Sequence, residues 1–303
     1  MDNFFNQLRK KALLKNASIL LPESFDPRVK DAISNLSVMG FNIPDLDYFN
    51  KKHDIYIDYL LNQKFSDNWP EEEVVRYLEN PVNKSLTILA CGDVDGVVVG
   101  AATSTSDVLR SSLRIVGIKQ SSKWVSSIFL LISPNQDKIF TFSDCAVIPE
   151  PSPEQLVSIA ENASFTHKLI TGKDPKVAFL SFSTNGSASH YRVDKVKDAV
   201  DLFSKRNPDI LHEGEIQFDS AVSLSVSKKK NPKSKLKGKA NVFIFPNLDA
   251  GNISYKITRE LAGYSACGPL LQGINKPVHD LSRGCSIQDI INVAIITAIQ
   301  KSS

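Results

Sequence analysis

The chain is short of the residues and patterns that mark several protein classes. It has only four cysteines in 303 residues: Cys91, Cys145, Cys267 and Cys285. They lie far apart with no C-x-x-C pair, which excludes a zinc module or disulfide framework and suits a reducing compartment. No window approaches the ~20 apolar residues of a membrane span. The opening MDNFFNQLRKKALLKN is charged and amphipathic and lacks the apolar core of a signal peptide, so the expected location is cytoplasmic. A formal charge of +3 gives no case for nucleic-acid binding. Seven lysines fall between Lys228 and Lys239, so the remainder of the chain is net acidic.

What is present is an ordinary globular composition, 42% hydrophobic and 23% charged, long enough for about two domains. Helical spacing predicts helices over 1–16, 27–39, 70–78, 106–115, 153–167, 191–205 and 287–299, with another following Asn252. Short apolar runs predict strands at 18–21, 85–91, 97–101, 125–132, 139–143, 177–182, 213–221 and 241–246. The stretch 41–58 is mixed, and 228–239 reads as a solvated lysine loop. Strands and helices alternate for most of the length, which predicts an α/β protein with largely parallel sheets. There is no internal repeat.

Three segments share one form: an apolar strand, a loop of small polar residues, then a helix. Ligands of open α/β sheets bind at such loops, where unpaired helix N–H groups face an anion. The first is Val177–Phe182 followed by Ser183-Thr184-Asn185-Gly186-Ser187-Ala188-Ser189; it carries neither GxxxxGK[ST] nor GxGxxG. The second is Asn241–Pro246 with Asn252, Tyr255 and Lys256 following, where Asn252 reads as an N-cap. The third is Asp280-Leu281-Ser282-Arg283-Gly284-Cys285-Ser286-Ile287-Gln288-Asp289, where Ser286 and Asp289 form an S-x-x-D capping box. Each reads either as plain turn and cap chemistry or as a ligand loop. Cys285 reads more readily as a buried inert thiol than as a nucleophile. The five histidines are scattered without an HxxxH or GxSxG motif. Glu213, Glu215 and Asp219 fit a salt-bridged edge better than a metal site.

Several longer stretches carry more. ILLPESFDPRV at 19–29, GAATSTSDVLR at 100–110, LSFSTNGSAS at 180–189 and HEGEIQFDSA at 212–221 closely resemble the phosphate acetyltransferase (phosphotransacetylase) family. So do GKANVFIFPNLDAGNISYKI at 238–257 and CGPLLQGINKPVHDLSRGC with SIQDI at 267–290. The resemblance runs from about Leu20 to the C-terminus. It implies two α/β/α domains with a central cleft, like isocitrate and isopropylmalate dehydrogenases, with residues 1–120 plus 270–303 as the first and 121–269 as the second. It implies exchange of acetyl between coenzyme A and inorganic phosphate, coenzyme A being a substrate, with no metal and no permanently bound cofactor. It also implies a homodimer that binds neither nucleic acid nor membrane.

By the same resemblance, Asp289 takes the proton of the coenzyme thiol, Ser282 supports the transition state, and Arg283 binds the phosphate group. Arg110 is a second active-site arginine. Ser104 and Thr105 face the acyl phosphate, while Ser181, Ser183, Thr184, Ser187, Asn252 and Tyr255 line the cleft. The family's basic Arg-Lys-x-Lys-Gly stretch is replaced here by Leu61–Asp67, where only Lys64 is basic. No coenzyme contact therefore carries over to Asn62 or Gln63, and Lys228–Lys239 is the alternative source of cations. Related readings are a butyryl- or propionyl-transferring enzyme and a non-catalytic module like those ending some malic enzymes.

Thiol pKa of about 8.5 against about 3.9 for an Asp makes direct proton transfer uphill by about 6 kcal/mol. The site must narrow that gap by burying the base and placing arginines near the thiol.

Overall fold

The computed structural model describes residues 4–301. Two compact units emerge, residues 1–121 with 268–303, and 122–267. In chain order the first unit opens with α1 (Phe4–Leu13), β1 (Ile19–Leu20) and α2 (Pro27–Val38). It continues with α3 (His53–Leu61), α4 (Glu71–Leu78), α5 (Pro81–Cys91), β2 (Gly96–Val99) and α6 (Thr105–Ile115). The helix expected over 1–16 is seen as α1; residues 1–3 lie outside the described residues.

The second unit holds β3 (Ser126–Ile132), β4 (Ile139–Ser143), α7 (Pro153–Thr171), β5 (Lys176–Leu180) and α8 (Tyr191–Arg206). It then adds β6 (Leu211–Ile216), α9 (Phe218–Val222), α10 (Leu224–Lys230), β7 (Val242–Ile244) and α11 (Leu248–Ala262). The chain re-enters the first unit along β8 (Ser265–Gln272), followed by β9 (Val278–Asp280) and α12 (Ile287–Ile299).

In the first unit β1, β2 and β9 run parallel and β8 pairs antiparallel with β9. The second unit orders its strands β3-β4-β7-β5-β6, parallel except for β3 against β4. Both sheets are thus largely parallel, and strands such as β2, β3 and β7 are buried apolar runs because helices cover them. Helix α12 is buried along its length from Ile290 to Ile299, which explains why its sequence is apolar all round.

Several elements differ from the sequence reading. Residues 85–91 are the end of helix α5 and not a strand. Asn80 caps it by accepting from the Val82 and Asn83 N–H groups, Pro81 takes the first position, and Gly92 closes it at φ +89°. Ser85, Leu86, Thr87, Ile88 and Leu89 are all buried, so the helix has no charged outer face here and its short run reads like a buried strand. The run 213–221 divides into the end of β6 and the short helix α9. The first three residues of the lysine cluster belong to α10, and all seven of its lysines are exposed. Asn252 is not an N-cap: Asn247 is, accepting from the Ala250 N–H at 2.9 Å, and α11 starts at Leu248.

Candidate functional site

In the first unit β2 and β9 are parallel neighbours, with Val99 opposite Asp280, so their carboxyl ends lie side by side. The loops that follow lead into α6 and α12. They touch at Gly100, whose φ is +98° and where a Cβ would lie 2.1 Å from Asp280 Oδ1 and 2.7 Å from the Leu281 nitrogen. Only glycine fits that position.

Two side chains outside these loops brace them. Glu23, 1% exposed, accepts from the Ala101, Ala102 and Thr103 N–H groups and from the Thr103 hydroxyl at 2.7–3.1 Å. Arg28 reaches both loops: it donates to the Ala101 carbonyl at 2.9 Å, the Arg283 carbonyl at 2.8 Å and the Cys285 carbonyl at 3.0 Å. Its remaining donors go to Asp26, the N-cap of α2, and hold that carboxyl below its ordinary range. A planar five-donor guanidinium suits such a multi-carbonyl bridge.

At the head of α6, Ser104 is the N-cap, accepting from the Asp107 N–H at 3.2 Å and donating to its carboxylate at 2.7 Å. Thr105 donates its hydroxyl to Asp280 Oδ2 at 2.5 Å. Arg110 pairs with Asp107 at 2.8 Å in an exposed ion pair, a weak restraint on the arginine.

At the head of α12 the capping box forms as its sequence requires. Ser286 Oγ accepts from the Asp289 N–H at 3.2 Å, and Asp289 Oδ2 accepts from the Ser286 N–H and hydroxyl at 2.9 Å each. Ser282 accepts the Gly284 N–H at 3.3 Å. Arg283 is exposed, and its guanidinium has no ion-pair partner among the described residues. The first unit therefore gathers Ser104, Thr105, Ser282, Arg283 and Asp289 at two adjacent helix N-termini, with Arg110 two turns into α6. An unpaired cation beside unpaired helix N–H groups is a receptor for a multiply charged oxyanion.

The remaining predicted residues belong to the second unit. Ser183 and Thr184 are buried and turned inward: Ser183 donates to Glu215 at 2.9 Å, and Thr184 accepts the Gln217 N–H at 2.9 Å. Ser181 accepts from the Ser183 N–H at 3.1 Å, and Ser187 from the Thr184 N–H at 3.0 Å. These hydroxyls shape their loop around the buried Glu215, which also accepts the Gly186 N–H at 2.7 Å. Asn252 donates to the Cys145 carbonyl at 3.0 Å, and Tyr255 stacks on Phe129 with ring centroids 3.9 Å apart. Glu213, Glu215 and Asp219 serve separate partners, Glu213 holding Ser234 and Asn231 while Asp219 pairs with Lys230.

Glu23, Arg28 and Asp280 have no role that residue type or spacing alone predicts. The first two lie within the 19–29 motif, so the signal was there without the contacts that explain it.

Parallel strands ending in small-residue loops at helix N-termini define an α/β protein that handles an anionic substrate. The chain belongs to the phosphate acetyl/butaryl transferase family, whose model matches residues 34–298. It is 41% identical to a phosphate acetyltransferase of Staphylococcus aureus strain Mu50 over 99% of both chains. It is 36% identical to a phosphate acetyltransferase of Bacillus subtilis strain 168, again over 99% of both. Among solved structures, a phosphotransacetylase from Staphylococcus aureus superposes with a TM-score of 0.87 at 36% identity, covering 99% of this chain and 98% of that one. A phosphotransacetylase from Streptococcus pyogenes gives 0.88 at 35%, covering 98% of each.

Proposed function

We propose that this protein reversibly transfers an acetyl group between coenzyme A and inorganic phosphate, as the names of its relatives indicate for them. The observation that carries the reading is the unpaired Arg283 beside Ser282, ahead of the α12 N-terminus, with Asp289 in its first turn. In this reading Asp289 accepts the thiol proton; its Oδ2 is occupied by Ser286, which fixes the carboxylate's orientation. The thiolate attacks the acetyl carbonyl of acetyl phosphate, an oxyanion forms, and phosphate leaves. Ser282 donates to the oxyanion, and Arg283 and Arg110 balance the charge on phosphate. Holding both substrates together supplies the proximity contribution, and no covalent enzyme intermediate is needed.

Arg110, its partner Asp107 and Arg114 line a recess of about 210 Å³ with Tyr77, Thr103 and Ser111, next to the head of α6, so Arg114 is its uncompensated cation. Arg114, with Arg110 once it leaves Asp107, supports a place for the coenzyme's phosphates, since the Leu61–Asp67 stretch carries only Lys64. A cytoplasmic homodimer with no metal and no resident cofactor completes the reading.

The test is phosphate-dependent release of thiol from acetyl-, propionyl- and butyryl-coenzyme A. Fastest release from the acetyl thioester, abolished without phosphate, is the expected result. Faster release from butyryl-coenzyme A moves the assignment to a longer acyl group, and no release from any of the three refutes transfer.

A further inference from the structure

Asp280 ends β9 directly beneath the paired loops. It is 0% exposed, its Oδ2 takes the Thr105 hydroxyl at 2.5 Å, and its Oδ1 has no hydrogen-bond partner. A fully buried carboxyl oxygen without a partner is rare and calls for an explanation. The Gly100 contact leaves no space to relieve it, since Oδ1 sits where a Cβ at that position would be. Burial pushes the acid up to about 7 against the Thr105 hydroxyl and the adjacent Leu281 N–H, which favour the charged form, and the nearby Glu23 charge adds to the rise.

Thr105 is the first residue of α6, and its hydroxyl proton now points inward to a carboxylate. A protonated Asp280 reverses this bond. Its own O–H donates to Thr105 Oγ1, and the threonine proton is released to point away from Asp280. A multiply charged anion at the head of α6 disfavours a second negative charge beneath it, so binding selects the protonated form.

We propose that Asp280 is a positioning residue for the phosphate substrate: through Thr105 it sets whether the first turn of α6 offers the anion a hydroxyl donor or withholds it. This rests on the phosphate-transfer reading above. Anion binding then carries a proton from solvent onto the Asp280 carboxyl group, and no other bond is made or broken. The charged groups on the elements around Asp280 are Glu23 before α2, Arg28, Lys30 and Asp31 on α2, Asp107, Arg110 and Arg114 on α6, and Asp289 on α12; of these Glu23 is the one whose charge acts on Asp280. His279, its neighbour on β9, sits on the strand's other side, bonded to the Leu271 N–H and Gln300 and pushed down to about 4.

Sulfate is the probe, because it stays a dianion between pH 5.5 and 8.5 whereas phosphate titrates there. Calorimetric titration of the full chain with sulfate, in two buffers of different ionisation heat, reads proton uptake without turnover. At pH 8 the expected uptake is about one proton, and sulfate affinity weakens about tenfold per pH unit above 7. Asp280→Asn keeps a donor toward Thr105, so its affinity is expected to be flat with pH and its proton uptake zero. Thr105→Val is expected to be flat as well, but weak throughout.

A wild-type slope surviving in Asp280→Asn assigns the proton to another group and overturns the proposal. So does the absence of sulfate binding, or of proton uptake in the wild type. Proton-linked sulfate binding to a chain that transfers no acyl group would refute the functional reading and leave the role of Asp280 standing.

Discussion

Asp144 in the second unit and Asp280 in the first are almost equally buried, 2% and 0% exposed, and burial pushes both acids up. Their partners differ. Asp144 accepts from the Ser127, Ala146 and Ile148 N–H groups at 2.8–3.1 Å and from the Ser127 hydroxyl. It ties the start of β3 to the chain leaving β4, and Gly251 of α11 packs directly on its backbone. Asp280 has the Thr105 hydroxyl on one oxygen and, beyond the adjacent Leu281 N–H, no hydrogen bond of ordinary geometry on the other. A saturated carboxylate is a structural knot, whereas a buried one left half-satisfied holds free energy that ligand binding can draw on. Burial alone does not separate the two cases; the count of partners does. Glu23 and Glu215 fall on the structural side, each holding loop N–H groups.

The comparison can be pressed from the site outward. The largest effect is expected at Arg283, whose side chain is exposed and unpaired while its carbonyl is what Arg28 grips. Arg283→Ala should lower kcat by about 10²–10³-fold with an unchanged melting temperature, the size found for losing one transition-state donor. A parallel loss of melting temperature would make Arg283 a structural residue instead. Next is Asp144→Ala, which strands three N–H groups, one buried and two partly buried, and the buried Ser127 hydroxyl. It should lose about 3 kcal/mol or more in urea unfolding. A loss below about 1 kcal/mol would erase the distinction from Asp280.

Asp280→Asn should act in the opposite direction and depend on pH. With a folded pKa of about 7 against 3.8 for the ordinary group, the native state keeps a proton that the unfolded chain releases. Wild-type stability therefore falls as pH rises through that window and is level above it. At about 1.4 kcal/mol per pH unit the ceiling is about 4 kcal/mol, and solvent relaxation around the buried group reduces it to about 2. The variant should be more stable than wild type at pH 8 and no more stable at pH 4, as read by urea midpoints at the two values. An equal gain at both would assign the effect to packing.

Much of this was legible in the sequence, and the exceptions have physical causes. The third loop gave its capping box directly, because Ser286 and Asp289 interact within one turn. The family motifs point to Arg283, Ser282 and Asp289, and the structure places these three together at the head of α12. What sequence could not give was any partner far along the chain: Glu23 lies 78–80 residues from the N–H groups it accepts, and Arg28 lies 255 and 257 residues from the carbonyls it holds. Strand β9 is three residues long and its Asp280 breaks the apolar pattern, so neither its strand state nor its burial could be read from periodicity. Helix α5 looks like a strand in sequence because a helix buried on nearly all sides loses the 3.6-residue signature. Asn252 and Asn247, five residues apart, offer the same capping chemistry, and only the start of α11 at Leu248 decides between them.

The smallest effect is expected where the sequence most invites a catalytic reading. Cys285 immediately precedes the N-cap of α12, and Arg28 Nη1 lies 3.9 Å from its sulfur, two features that favour a thiolate. Yet the residue is buried, and desolvation, the largest influence on it, pushes the thiol up despite the arginine. The arginine is in any case committed to Asp26 and three carbonyls. An acyl-enzyme on this sulfur would need a nucleophile that is both ionised and open to substrate, and Cys285 is neither. Cys285→Ala should therefore keep kcat within a factor of about two and lose about 1 kcal/mol of stability from the missing sulfur. Initial rates with both substrates varied should give intersecting lines in a double-reciprocal plot. Parallel lines, together with an inactive but folded Cys285→Ala, would establish the ping-pong route through the thiol and displace direct transfer from Asp289-activated coenzyme.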